Sequence, residues 1–303
     1  MTPITAPIII FTYDRPVHTR RTVEALQKNL LAEYSEVFFY ADGAKSEDDR
    51  NAVDEVRQYI KSVKGFKKIS IIERTQNYGL SANIIDGVSS ILRKHKNIIV
   101  LEDDIVTGPY FLKFMNESLR HFENNYQVWH ISGWSHPILP DGLPDCYFWR
   151  GMDCWGWATW ADRWTHFKKK PHQLKSTWNK DKIFRFNIDG SDNLWRQVED
   201  NISNKINTWA IFWYATIFDR NGLCLSPTVS LVNNIGFDGS GENCGVSADF
   251  HVNLTKNQIN SWPIRIEENT IALTRIKRFY LLNKIYSPIK LATKLFKEFR
   301  MTK

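Results

Sequence analysis

The sequence predicts an α/β fold built on a mostly parallel central sheet flanked by helices. Short apolar, β-branched runs recur through the first hundred residues, as at 7–12 (PIIIFT) and 97–101 (NIIVL). Each is followed by a segment with apolar residues at helical spacing. Each strand-like run ends in a polar cluster. Alternation of this kind marks parallel strands joined by helical crossovers.

The elements follow in order. Residues 7–12 read as a buried first strand. Residues 15–31 carry Val17, Val23, Ala25, Leu26 and Leu30 at helical spacing. Residues 36–40 (EVFFY) form a second strand that ends at Ala41-Asp42-Gly43. Residues 48–63 are a polar helix with Val53, Val56, Tyr59 and Ile60 on one stripe. A third strand over 68–72 leads into Asn77-Tyr78-Gly79-Leu80, and a helix covers 81–94. The fourth strand, 97–101, runs into Glu102-Asp103-Asp104. In such sheets ligands bind beyond the carboxyl ends of the strands, where Asp42, Asn77 and the acidic triplet all fall.

After this the rhythm stops and tryptophans crowd the stretch 149–213. Helices are predicted over 109–124, 157–167, 192–201 and 209–221, then a glycine-rich stretch, Gly236-Phe237-Asp238-Gly239-Ser240-Gly241. No linker-like tract or internal repeat divides the chain. The prediction is one catalytic unit, 1–270, with a nucleotide-binding half (1–105) and an acceptor and sugar half (106–270). A basic helical tail, 271–303, completes it.

Composition narrows the class. The chain has 303 residues, 43% hydrophobic and 24% charged, in the range of a soluble globular protein. That excludes disordered, collagen-like and disulfide-scaffold chains. Four scattered cysteines (146, 154, 224 and 244) make no C-x-x-C pair and no zinc ribbon. No signal peptide or membrane-length apolar run is read, so a cytoplasmic location is expected. Nine basic residues and one acid fall within 272–303, so the formal charge of +7 belongs to the tail and the body is near neutral. The chain is therefore not read as a nucleic-acid binder. The tail places Leu282, Ile285, Ile289, Ala292, Phe296 and Phe299 on one stripe flanked by Lys290, Lys294 and Lys297. Such a segment suits an anionic membrane surface, where each basic residue adds ~1 kcal/mol, or a terminal helix docked on the body with its lysines exposed.

The acidic triplet is the strongest chemical signal. Three consecutive carboxylates after a buried strand repel one another unless a cation neutralises them, and their hard oxygens suit Mg²⁺ or Mn²⁺. A solvated acidic turn is the plainer reading. Asp42-Gly43 could serve a ribose or simply make a turn. Arg15 could pair a phosphate or lie on the surface. Gly156-Trp157-Ala158-Thr159-Trp160 offers flat walls for a sugar ring or a tryptophan-rich core helix. Residues 234–244 suit a lid over a bound ligand or an ordinary loop. No H-E-x-x-H, G-x-S-x-G or Walker pattern occurs, which removes the common hydrolase and P-loop classes.

Taken in order, T-Y-D-R-P at 12–16, A-D-G-A-K at 41–45, N-Y-G-L-S-A-N at 77–83, L-E-D-D-I at 101–105, W-G-W-A-T-W-x-x-R-W at 155–164, T-W-A-I-x-W-Y-A at 208–215 and S-L-V-x-N-I-G-x-D-G-S-G at 230–241 resemble bacterial sugar transferases of the GT-A fold, within or close to glycosyltransferase family 2. More remotely they are similar to the Golgi N-acetylglucosaminyltransferase that begins complex N-glycans. The resemblance spans about residues 5–245. It implies a GT-A, Rossmann-like fold and an inverting hexosyl- or N-acetylhexosaminyltransferase. The donor would be a nucleotide-diphosphate sugar of the UDP type, used with Mn²⁺ or Mg²⁺. The acceptor would be a glycan, lipid-linked, of the O-antigen, capsule or lipopolysaccharide kind, with the enzyme peripheral on the inner face of the plasma membrane. It places Thr12, Arg15, Asp42, Asn77, Glu102 and Asp103 at the donor, with Asp104 and Glu102 on the metal. Gly156 and Trp157 fall at the sugar and acceptor pocket, and 236–243 form the lid. Inverting relatives carry a proton-accepting acid where this chain has Ala210. Asp238 is the first substitute, followed by Asp153, Asp192 and Glu199. Two rival classes remain at this stage: a nucleotidyltransferase, and a glycan- or membrane-binding protein without catalysis.

Overall fold

The protein is described by a computed structural model over residues 3–241 and 249–284. β1 (Ile8–Thr12) is buried along its whole length, as expected for a parallel strand covered on both faces. α1 (Pro16–Gln27) opens with Pro16, where a missing N–H leaves no helical bond unmade. β2 (Glu36–Ala41) leads to α2 (Glu47–Ser62), started by a capping box between Ser46 and Asp49. β3 (Lys68–Glu73), α3 (Leu80–Leu92) and β4 (Asn97–Glu102) complete the alternation. These bounds lie within a few residues of the predicted ones.

The rhythm continues where the sequence hid it. β5 (Ile105–Thr107), α4 (Phe111–His121), β6 (Val128–Ser132), β7 (Cys146–Trp149) and β8 (Trp157–Trp160) follow. Next come the short helices α5 (Ala161–Trp164), α6 (Pro171–Thr177), α7 (Lys180–Phe186) and α8 (Trp195–Ile202). α9 (Ala210–Asp219), β9 (Leu223–Pro227) and β10 (Val232–Asn234) come after them. A last helix, α10, covers 270–284. The eight-stranded sheet has the order β3-β2-β1-β4-β8-β6-β9-β7. β8 and β7 run against the other six strands. β5 and β10 form a separate antiparallel pair. The architecture is a Rossmann-like α/β fold with a mostly parallel sheet between helices.

The predicted helix over 157–167 is corrected: its first four residues are β8, inserted between β4 and β6. All four are buried, so no polar face reveals whether the period is two or 3.6. The arginine of this motif is structural. Arg163 is buried, and its guanidinium donates to the carbonyls of Glu123 (2.7 Å) and Asn125 (3.1 Å), pairs with Asp162, and lies over the rings of Trp160 and Tyr126. A buried cation so partnered ties α5 to the turn after α4.

α10 packs as part of the body. Ala272, Leu273 and Ile276 are buried in the core beside β1 and α9 residues. Arg275 donates to the carbonyls of Leu139 and Asp141, and Lys277 pairs with Asp189 at 3.1 Å. These tail charges are turned to the protein. Ile285, Ile289, Ala292, Phe296 and Phe299, with lysines 290, 294 and 297, lie outside the described residues. Among the described residues no helix is long and apolar enough to cross a membrane.

Candidate active site at the carboxyl ends of the parallel strands

β1, β2 and β4 end side by side, and their polar termini meet. The β4–β5 turn presents Asp103 and Asp104, both buried, with Glu102 half-buried before them. Arg15, entering α1, bridges the two: its guanidinium bonds Asp103 and reaches Asp104 Oδ2 at 3.0 Å. Thr22, two turns along α1, donates to the Asp103 carbonyl at 2.7 Å. Burial and mutual repulsion push the Glu102 carboxyl well above the usual range. Burial raises Asp103 too, against the pull of Arg15. Burial and crowding thus disfavour the charged forms of Glu102 and Asp103.

The loop after β10 returns to this turn because β10 pairs with β5, with Asn234 opposite Ile105. The Ile235 amide donates to the Asp104 carbonyl at 2.9 Å. A Cβ on Gly236 would overlap Asp104 Oδ2 and lie 3.0 Å from an Arg15 nitrogen, so only glycine lets the backbone come this close. Asp238 reaches His18 Nε2 on α1 at 3.0 Å. Phe237 stands edge-on to Trp155, with ring centroids 5.4 Å apart. Residues 242 and 243 of the predicted lid lie outside the described residues. Gly236→Ala is expected to weaken binding of a nucleotide diphosphate at least about tenfold and to lower the melting temperature by several degrees, because overlap with a buried, bonded carboxylate costs about 1–3 kcal/mol. Titration calorimetry with a nucleotide diphosphate and a thermal melt check this.

Asp42 is buried at the end of β2, and its Oδ1 accepts the amides of Gly43 (2.9 Å) and Tyr78 (2.8 Å). Asn77 donates to the Gly43 carbonyl at 2.8 Å. Together these bonds clamp the two turns that follow β2 and β3. Thr12 is buried at the end of β1, and its hydroxyl has no partner. Exposed Tyr78 has the Arg74 guanidinium 4.3 Å from its ring centre. Lys169 donates to Ser81 Oγ on α3 at 3.1 Å and to Asn207 just before α9. Burial lowers its pKa.

The other predicted residues separate. Trp157 is fully buried and stacks with His130 (ring centroids 5.4 Å apart) and with Trp209 (5.2 Å). Gly156 sits against Val232, Phe111 and Ile105, and its carbonyl accepts the Gly133 amide. Neither can wall a sugar pocket, which corrects that expectation: β8 is an interior strand. Half-buried Trp155 is the ring of this motif that faces the loop after β10. Glu199 is exposed on α8. Asp192 lies near Tyr280 of α10.

Asp153 occupies the loop that returns from the end of β7 to the start of β8. His130 Nε2 bonds its carbonyl at 3.0 Å. Since Trp213 Nε1 donates to His130 Nδ1, the imidazole proton is on Nε2. The Asp153 Oδ2 has no partner, and burial raises this carboxyl to about 8. Asp238 is the opposite case. The Ser240 hydroxyl and amide, with His18 behind them, hold it down at about 2. His18, Lys169, His136 and Tyr280 gave no local sequence signal, for they acquire their neighbours only across the fold.

No family model matches the chain, and no curated protein matches it. Among solved structures, that of TarS from S. aureus aligns over 46% of this chain and 23% of that one, at 13% identity and a TM-score of 0.31. The chain thus spans about a quarter of that protein's length, and a likeness so slight carries no argument about activity.

Proposed function

We propose that the chain is a glycosyltransferase that moves a sugar from a nucleotide-diphosphate donor, a UDP-sugar, to a hydroxyl of a growing lipid-linked surface glycan. The observation that supports this most is the convergence of Arg15, Asp103, Asp104 and Gly236 beside the Asp42 turn. A diphosphate needs fixed positive charge and close backbone, and a nucleoside needs buried acceptors and a flat partner. Arg15, Gly236, Asp42 and Tyr78 supply these. The basic sequence beyond residue 284 supports attachment to an anionic membrane on the cytoplasmic side, where a lipid-linked acceptor would lie.

Asp104 and Glu102 would hold Mn²⁺ or Mg²⁺. Among the described residues no three metal-binding side chains converge in advance, and Arg15 already contacts two carboxylates. The hard-oxygen donor set still fits these ions, which need only one or two carboxylates beside water and phosphate. Such an ion would stabilise the departing diphosphate.

The proton acceptor is Asp153. A carboxylate held near 2 is a weak base, whereas one near 8 with an unpartnered oxygen is a strong one once ionised. The acceptor oxygen bonds the anomeric carbon as its proton passes to Asp153. The bond to the diphosphate breaks, with its electron pair retained by the diphosphate. Attack opposite the leaving group inverts the centre. With Asp153 in this role, Ala210 needs no acid.

Thermal melts with a panel of nucleotide diphosphates and nucleotide sugars, with and without Mn²⁺, test the reading. A ligand at 100 times its Kd adds about 2.7 kcal/mol of stability. The expected result is a metal-dependent rise with uridine nucleotides. No rise with any nucleotide, for folded protein, overturns the reading in favour of a binding protein without this chemistry.

A further inference from the structure

His136 and Asp153 stand side by side, and each has an unsatisfied atom. His136 follows β6 and is buried. Its Nε2 lies 2.9 Å from the Tyr280 hydroxyl on α10. Its Nδ1 has no partner and stands 3.9 Å from the equally unpartnered Asp153 Oδ2. That gap is about 1 Å beyond a hydrogen bond. Burial lowers His136 to about 3, so the ring is neutral and has one N–H. Its location decides what Asp153 meets. With the proton on Nε2, a lone pair on Nδ1 would face the carboxylate and repel it. With Tyr280 donating to Nε2, the proton is on Nδ1 and faces the carboxylate.

We propose that Tyr280 is a positioning residue for Asp153: it donates to His136 Nε2 and so holds the imidazole with Nδ1–H toward the carboxylate. This rests on the reading of Asp153 as the proton acceptor. α10 is thereby part of the site it does not touch. It is held for the purpose by Lys277 on Asp189, by Asn269 donating to the Phe148 carbonyl, and by Ala272 and Ile276 in the core. The other titratable groups around Asp153 are His130 on β6, Tyr147 on β7 and Cys224 on β9, with Asp192 and Tyr214 facing Tyr280. Burial keeps the thiol and both tyrosines protonated through neutral pH, and His130 stays neutral. None of them supplies the missing donor.

The test is a carboxyl titration of the full chain labelled with ¹³C at aspartate, with the Asp153 signal assigned through Asp153→Asn. Tyr280→Phe is expected to raise the Asp153 midpoint by ~1 unit, because the ionised form loses a facing donor. His136→Asn places an amide N–H where Nδ1–H was and is expected to restore the midpoint in the Tyr280→Phe background. A purely structural Tyr280 would lower the melting temperature and leave the midpoint where it was, and that result overturns the proposal. Should Tyr280→Phe fail to fold, His136→Phe, which removes the donor directly, must raise the midpoint or the proposal falls. Turnover separates the two readings. Lost turnover in Asp153→Asn with an unmoved midpoint in Tyr280→Phe keeps the base and rejects the positioning role. Full turnover in Asp153→Asn rejects the base itself.

Discussion

Asp104→Ala is expected to reduce donor turnover by at least about 10³-fold, the loss of roughly 4 kcal/mol of transition-state stabilisation at a charged centre. Asp104 carries several demands at once. Its side chain meets Arg15, its carbonyl holds Ile235, and its Oδ2 lies where Gly236 must pass. The substitution removes only the carboxylate, so the carbonyl still anchors the loop and Arg15 keeps Asp103. The fold is expected to persist, which melting checks directly. The same variant should lose the metal-dependent part of any nucleotide-induced melting shift while keeping a metal-independent part. Turnover within tenfold of wild type would remove Asp104 from the metal and leave the acidic turn as a partner for Arg15 alone.

Asp153→Asn is expected to lower kcat at least about 10³-fold and, at the same time, to stabilise the protein at alkaline pH. The first effect is loss of the proton acceptor. The second follows from linkage. The Asp153 carboxyl titrates near 3.8 in the unfolded chain and about 8 in the folded one. Below the lower value both states are protonated and the group contributes nothing. Between the two values the unfolded chain ionises while the folded one does not, so stability falls as pH rises and levels off above about 8. Asparagine removes that loss. The variant's advantage should be absent at pH 3.5, grow through neutrality and reach on the order of 1–3 kcal/mol at pH 9, equivalent to roughly 2–4 °C for each kcal/mol. Melts across that range check it. The same carboxyl predicts an activity that rises with pH through about 8 in the wild type. Equal melting at pH 9 would mean that Asp153 is not destabilising when ionised. A group that costs stability and serves chemistry is a familiar exchange in active sites.

Sequence periodicity was most informative where helix and strand alternate and least where everything is buried. β1 to β4 are continuous apolar runs bounded by polar turns, so their ends could be read to within a residue or two. β6, β7 and β9 are four or five residues long in a region dense with aromatics, and short buried runs lack a solvent face to set the period. β8 failed for the same reason: Trp157 and Trp160 point to opposite sides of a sheet that is covered on both. Arg15, Asp42, Asn77 and the acidic triplet were legible because strand ends mark sites in parallel sheets. The environments of Asp153 and Asp238 were not. One is buried near Tyr280 of α10, more than a hundred residues away in sequence, and the other, held down first by Ser240 two residues on, also meets His18 of the first helix. Charge pairing across such distances leaves no local pattern.

The interleaved strand order has a kinetic consequence. β4 lies against β8 some sixty residues later, and β6 lies against β9 more than ninety residues later. Closing such loops costs chain entropy before any contact repays it. A growing chain that ends after the acidic turn has every strand of its first half but leaves β4 an open edge, with apolar Ile98, Ile99 and Val100 unpaired on that side. The first hundred residues are thus no separate folding unit. They remain exposed to edge-to-edge association until residues 157–160 emerge and close them.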